Sequence, residues 1–325
     1  MSEKNLVLVN DPPRQAFSDF EALKNEVQAL GHGIAVHIAF STIENLPLVR
    51  LEDRPTLIMS FTPLRGFAPK SGQIYAGRRI NKLEQIKGLA AHNIPVPKTK
   101  PLTRNFNPAD EDWGDYVVIK PDFTSTTKGY GIQLMRPERV RYKAPNKYPA
   151  DHPARRGIMT VQQYIHTGRK PFNYRVLTLM GEPLYCLTGT RSEGEISLDV
   201  SDEMLEATPP ASTSGHRDRQ LVADPDVLEL ARRTHAAFPD VPLKGVDIVR
   251  EERSGKLYVL ELNAGGNTWH FSSKGGVSTR AELGEGLGAP ADFVQEIGRA
   301  AMLKQFDAFR TAARVLAQCT LAEAT

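Results

Sequence analysis

Apolar and polar positions alternate in two distinct rhythms over the first sixty residues. Residues 5–10 (NLVLVN), 34–40 and 56–61 are short apolar runs of strand length. Between the first two, Phe20, Leu23, Val27 and Leu30 fall on one face of a 3.6-residue period. Ser18 and Glu21 have capping-box spacing at its start, and Gly31 follows its last apolar position, so a helix is predicted there. Strand, helix, strand predicts a βαβ unit on a parallel sheet, and an α/β class.

Leu83, Ile86 and Leu89 give residues 81–92 an apolar face, with Asn81 as N-cap and Pro95 and Pro97 just beyond the end. Residues 116–134 (YVVIKPDFTSTTKGYGIQL) read as a strand ending at Lys120, a Gly/Ser/Thr loop and a second strand. Pro121 bars the first strand from continuing as a central one. Residues 139–156, rich in Pro, Lys, Arg and Tyr, read as an insertion or loop. Strands are expected at 175–180 and 184–190 around the turn Gly181-Glu182-Pro183, and the Pro/Ser/Thr-rich segment 192–215 reads as a loop or lid. Asp224 and Pro225 start a helix running to about Ala237, and residues 291–317 read as helical, with Phe293, Ile297, Phe306 and Phe309 among the apolar positions.

Residues 245–250 and 256–263 are rich in β-formers around the turn-like Arg253-Ser254-Gly255. That register sets Asp247 opposite Glu261 and puts Asn263 on the same face. Val246, Ile248, Tyr258, Leu260 and Leu262 then face a core. Two carboxylates and an amide on one face suit a hard cation such as Mg²⁺, and the same pattern fits a solvated hairpin face. A slip of one residue would separate the three. Upstream, Lys120 followed by Thr126, Lys128 and Gly129 offers cations, a hydroxyl and close backbone approach to a phosphate. An ordinary hairpin with a long polar turn would look alike. The segment has neither a Walker A pattern nor a GxGxxG opening a helix.

Composition narrows the class further. The chain has 325 residues, with 40% hydrophobic and 24% charged, enough for two or three globular domains. A net charge of +3, dispersed along the chain, argues against a nucleic-acid partner, and Arg155-Arg156 and Arg217/Arg219 read as solvated surface. Cys186 and Cys319 offer no disulfide framework, and Cys186 lies in an apolar run as a core residue would. With no leader-like apolar stretch at its start and no membrane-length run, a cytoplasmic protein is expected. His152, His216, His235 and His270 lack metal-ligand spacing, Ser272-Ser273 lacks a nucleophile elbow, and Trp113 and Trp269 read as packing residues.

Several of these segments, in this order, resemble the ATP-grasp superfamily. Asn81-Lys82-Leu83 with Asn93-Ile94-Pro95-Val96-Pro97 is similar to its first helix and exit; Ile119-Lys120-Pro121 to its strand lysine; and residues 125–131 to its loop over the phosphates. Val161-Gln162-Gln163-Tyr164-Ile165 resembles the adenine hinge, Asn173-Tyr174-Arg175-Val176 the D-x-R-V strand, and Asp247, Glu261 and Asn263 the metal triad. Gln162 and Asn173 stand where the family often has acidic residues, and Ala264-Gly265-Gly266 replaces the usual proline-glycine turn.

The resemblance implies an ATP-grasp fold of α/β (α+β) class: an N-terminal α/β domain at 1–80, a central subdomain with the phosphate loop at 81–160, and a C-terminal subdomain with the metal site at 161–325. It implies ATP and Mg²⁺, with Mn²⁺ able to substitute. Lys82, Lys120, Thr126, Lys128 and Gly129 would hold phosphates, and Gln162, Gln163, Tyr164, Ile165 and Asn173 the nucleoside. Arg175 and Arg191 would stabilise transfer. The implied reaction joins a small-molecule or peptide carboxylate to an amine through an acyl phosphate, releasing ADP. A kinase-type phosphotransferase and a non-catalytic nucleotide-binding regulator stay open as alternatives. A homodimer is compatible with the resemblance; a nucleic-acid or membrane partner is not expected.

Overall fold

The computed structural model describes residues 4–41, 54–66, 69, 71–122, 130–208, 216–265 and 276–325. β1 (Lys4–Asn10), α1 (Phe17–Ala29), β2 (Ile34–Phe40), β3 (Thr56–Ser60) and β4 (Gln73–Ala76) form a sheet of order β2-β1-β3-β4. Every pairing in it is parallel, as the βαβ pattern predicts. The capping box does not form: α1 begins at Phe17 after Ala16, with no side-chain cap, so Ser18 falls inside the first turn.

α2 (Lys82–Ala91) leads into an antiparallel sheet, order β5-β8-β6-β7, of β5 (Thr99–Pro101), β6 (Val117–Pro121), β7 (Gln133–Met135) and β8 (Met159–Gln163). β8 runs across the expected 160/161 boundary because it pairs with β5 and β6. Val117, Ile119 and Val161 pack with Trp113 and Leu102 into this sheet's own core. Asn81 makes no side-chain cap on α2. Asp122 caps it instead: its carbonyl accepts from Lys82 N–H (2.9 Å) and its carboxylate from Leu83 N–H (2.8 Å).

β9 (Phe172–Leu179) and β10 (Glu182–Arg191) begin the third unit, with α3 (Asp202–Ala207), β11 (Arg217–Leu221) and α4 (Pro225–Arg233) following. β12 (Leu243–Arg250) and β13 (Leu257–Ala264) complete an antiparallel sheet of order β11-β10-β9-β12-β13. The β9–β10 turn is shorter than expected, just Met180 and Gly181 with φ of 49° and 88°, which suits a two-residue hairpin. α5 (Val277–Gly286), α6 (Val294–Gln305) and α7 (Ala308–Glu323) close the chain, with left-handed Asp307 (φ 49°) splitting the expected single tail helix. Leu177, Leu179 and Leu187 of the large sheet share one core with Leu6, Leu8, Met59 and, from α7, Leu316. The chain's end thus packs back on its beginning. Among the described residues no helix is long and apolar enough to cross a membrane.

The opposite face of the large sheet packs under α4, where Lys244 is fully buried. Its Nζ lies 3.0 Å from the Phe238 carbonyl and 2.9 Å from His235 Nδ1, with the Val241 carbonyl as third partner. Two carbonyl oxygens and an imidazole nitrogen surround the amine, with no carboxylate among these partners. Burial pushes Lys244 down from 10.5 to about 7, and burial with the Lys244 charge pushes His235 down to about 4. Above pH 7 the unfolded lysine still binds a proton that the folded one has released, so stability rises with pH until about 10. Lys244→Met should lose that rise. Denaturant unfolding of both proteins at pH 7 and pH 10 checks it: a stability gap that does not widen with pH would refute the assignment.

Candidate functional site

Lys82 and Lys120 are brought together by the Asp122 cap, which ties the end of β6 to the start of α2. Alternation on β6 sends Val117 and Ile119 into the core and turns Val118 and Lys120 the other way. α2 is also fastened to β13. Buried Gln85 accepts from Leu262 N–H (2.8 Å) and donates to the Leu262 carbonyl (2.9 Å), beside Glu261. Lys82 Nζ then reaches Glu261 Oε2 at 2.7 Å.

On the facing sheet Asp247 is the register partner of both Glu261 and Arg175. Arg175 grips Asp247 with two bonds, Nε–Oδ1 at 2.7 Å and Nη2–Oδ2 at 2.6 Å, and Asn263 Nδ2 donates to Asp247 Oδ2 at 3.0 Å. Asp247, Glu261 and Asn263 therefore share a face, as the hairpin register predicts. The apolar half of that register differs. A bulge between Asp247 and Ile248 pairs Ile248 with Val259, so Val259 enters the core and Leu260 faces out.

A cavity of about 260 Å³ lies where the middle and large sheets face each other. It is lined by Lys82 and Lys120 on one side and Asp247, Glu261 and Arg175 on the other, with the hinge residues Gln162, Gln163, Tyr164 and Ile165, and with Asn173 and Arg191. Asn263 sits one hydrogen bond behind Asp247. Thr126, Lys128 and Gly129 lie outside the described residues, as do His270, Trp269 and the Ser272-Ser273 pair. Apolar walls come from Val118, Ile132, Phe172, Val249 and Leu260, none of which carries a sequence signal beyond ordinary strand composition.

Arg217 is a site residue that sequence reasoning assigned to the surface. It lines the cavity and its Nη1 donates to Asn173 Oδ1 at 3.0 Å. Arg219 likewise is not solvated: it pairs with Glu282 at 2.8 Å with little exposure. Alternation on β11 turns both arginines to the sheet face, and their sequence spacing is the one signal that could have shown it.

Electrostatics follow from the packing. Burial and the neighbouring Lys82 charge lower Lys120 to about 8, against the pull of Glu261, Asp122 and Asp247. Burial would raise Glu261, but Lys82 and Lys120 outweigh it and hold the carboxylate below its usual range. Burial would lower Arg175, and Asp247 outweighs that as well. The donor set suits a hard cation: three oxygen-bearing side chains on one hairpin, both carboxylates paired with cations.

No family model matches the chain, and no curated protein matches it. Among solved structures it is similar to D-cycloserine synthetase DcsG, at 15% identity over 97% of this chain and 99% of that one, with a TM-score of 0.49. It is similar to the ATP-grasp ligase PsnB complexed with minimal precursor (14% identity, 83% and 93% of the chains, TM-score 0.45). It is also similar to D-alanine–D-alanine ligase from Bacillus anthracis (12%, 94% and 98%, 0.42). Identities and scores this low describe a likeness in outline, and function rests on the side chains.

Proposed function

We propose that this chain is an ATP-dependent carboxylate–amine ligase with an ATP-grasp nucleotide site. One observation carries the reading: Lys82 of α2 and Lys120 of the middle sheet face Asp247, Glu261 and Arg175 of the large sheet across a single cavity. Paired cations facing paired carboxylates suit a polyphosphate bridged by a divalent ion.

In this reading residues 1–80 support the acid or amine, the middle sheet covers the nucleotide, and the large sheet carries the metal face. Asp247, Glu261 and Asn263 would hold Mg²⁺, or Mn²⁺ in its place, which would offset phosphate charge. Lys82 would leave Glu261 for a phosphate oxygen, and Lys120 would contact a second. Thr126, Lys128 and Gly129 would complete the phosphate cradle. At the hinge, Gln163 N–H already donates to the Lys98 carbonyl and Tyr164 N–H to that of Tyr116. The Ile165 N–H is then the donor for an adenine edge, with Val118, Phe172 and Leu260 packing the ring. Asn173 would lie toward the ribose. The substrate carboxylate attacks the γ-phosphorus, ADP leaves, and an amine then displaces phosphate from the acyl phosphate. Arg175 and Arg191 stabilise the transferring charge. No side chain acts as a covalent nucleophile.

ADP release measured with amino acids, dipeptides and simple acids, singly and in pairs, tests the reaction. Net turnover that requires an amine and yields an amide by mass spectrometry supports the ligase. A phosphorylated acid formed without an amine would establish the kinase-type alternative, and ATP binding with no turnover on any pair the regulator.

Nucleotide binding is tested through Lys120. Millimolar ATP with Mg²⁺ should raise the melting temperature, and Lys120→Ala should abolish most of that rise. Because Lys120 titrates near 8 and phosphate favours its charged form, ATP affinity should weaken as pH climbs through that value. A melting temperature that ignores ATP at every pH would sink the reading.

A further inference from the structure

Charge on the cavity face of the large sheet is sorted by strand. Glu261 and Asp247 occupy β13 and β12, Arg175 and Asn173 occupy β9, and Arg217 and Arg219 occupy β11 at the far edge. Arg191, at the end of β10, is the register partner of Arg217. The Arg217 side chain crosses β10, and its Nη1 reaches Asn173 Oδ1 on β9, the strand beside β12.

The arginines differ in what answers them. Arg175 has Asp247, and Arg219 has Glu282. Among the described residues no carboxylate lies within 4 Å of Arg191 or Arg217. Arg217 is partly buried beside two like charges, Arg219 and Arg175, with the neutral Asn173 amide as its hydrogen-bond partner. Gly189 makes room for the cluster. A Cβ there would stand 2.9 Å from Arg219 Nη1, 3.2 Å from Asn173 Oδ1 and 3.5 Å from Arg217 Nη1. A desolvated guanidinium held in place by a neutral partner and facing a cavity is a prepared anion site.

We infer that Arg217 reads a second carboxylate on the acid substrate, so that the acid joined by this enzyme is a dicarboxylate or carries an acidic side chain. This rests on the ligase reading and narrows it: Arg217 is a specificity residue that touches substrate away from the reacting atoms.

The test compares dicarboxylates (succinate, glutarate, aspartate, glutamate and dipeptides containing Asp or Glu) with their monoamides. Two readouts are taken: melting temperature with Mg·ADP present, and ADP release with Mg·ATP and mixed amino acids. At least one dicarboxylate should exceed its monoamide by about tenfold or more in affinity or rate, the scale of a lost charged hydrogen bond. Arg217→Gln should erase that preference and Arg217→Lys keep part of it. Gly189→Ala, which crowds the Asn173 Oδ1 that holds Arg217 without removing charge, should weaken it. Equal response to every acid and its monoamide, or a preference surviving in Arg217→Gln, would overturn the inference. Loss of ATP stabilisation together with the preference would reassign Arg217 to the nucleotide and overturn it too. Arg217-dependent binding of a dicarboxylate with no ADP release would keep the subsite and reject the ligase.

Discussion

Replacing Glu261 by glutamine will lower turnover by roughly two to three orders of magnitude, the scale for removing a key electrostatic stabiliser, and the protein will stay folded. Glu261 is the point where both sides of the cavity meet: β13 presents it beside Asp247, and Lys82 of α2 reaches it at 2.7 Å. The amide keeps the shape and can still accept from Lys82, and Gln85 still fastens Leu262 to α2, so the backbone has no reason to move. What disappears is the charge. Lys82 and Lys120 then repel each other across a weaker counter-charge, and an oxygen ligand to the divalent ion loses its formal charge. ADP release at saturating Mg²⁺ and ATP, beside a circular dichroism spectrum, decides the matter. Near-wild-type turnover would remove Glu261 from the site.

Arg175→Met will destabilise the protein by about 3 kcal/mol, because it leaves the Asp247 carboxyl in a mostly buried place without its arginine partner. The pair is bidentate and its side chains are only 22% and 15% exposed, so solvent screens it little. Asn263 Nδ2 still donates to Asp247 and offsets part of the loss. Adding Asp247→Asn to Arg175→Met should restore most of the stability and none of the activity, since no charge is left to answer and no carboxylate left for a cation. Denaturant unfolding of the two variants separates these terms. A single variant as stable as the parent, or a double variant as active, would show that the pair has neither role.

Much of the site was legible in the sequence because strand alternation is a local rule. Asp247, Glu261 and Asn263 follow from a period of two and a short loop, and Lys120 from the end of an apolar run. Leu260 was placed wrongly for an equally local reason: a bulge adds one residue to one strand, and nothing in LYVLELN marks where it falls. Asn81 and Ser18 were read as caps by spacing. Asp122, just past the end of β6 and far along the chain, caps α2 instead, and α1 begins at Phe17, too early for Ser18 to be its N-cap.

By itself the sequence determined the parallel order of the first strands, the pairing of Asp247 with Glu261, and the segments that resemble ATP-grasp enzymes. These depend on periodicity and turn chemistry within a few residues. Only the tertiary structure decided that Lys82 reaches Glu261, that Arg175 holds Asp247, that Gln85 fastens α2 to the carboxylate strand, and that Arg217 faces the cavity instead of solvent. Each of those contacts joins residues far apart in the chain. Their partners are set by which sheet faces which, and that is fixed by apolar burial summed over the whole protein, not by any local pattern.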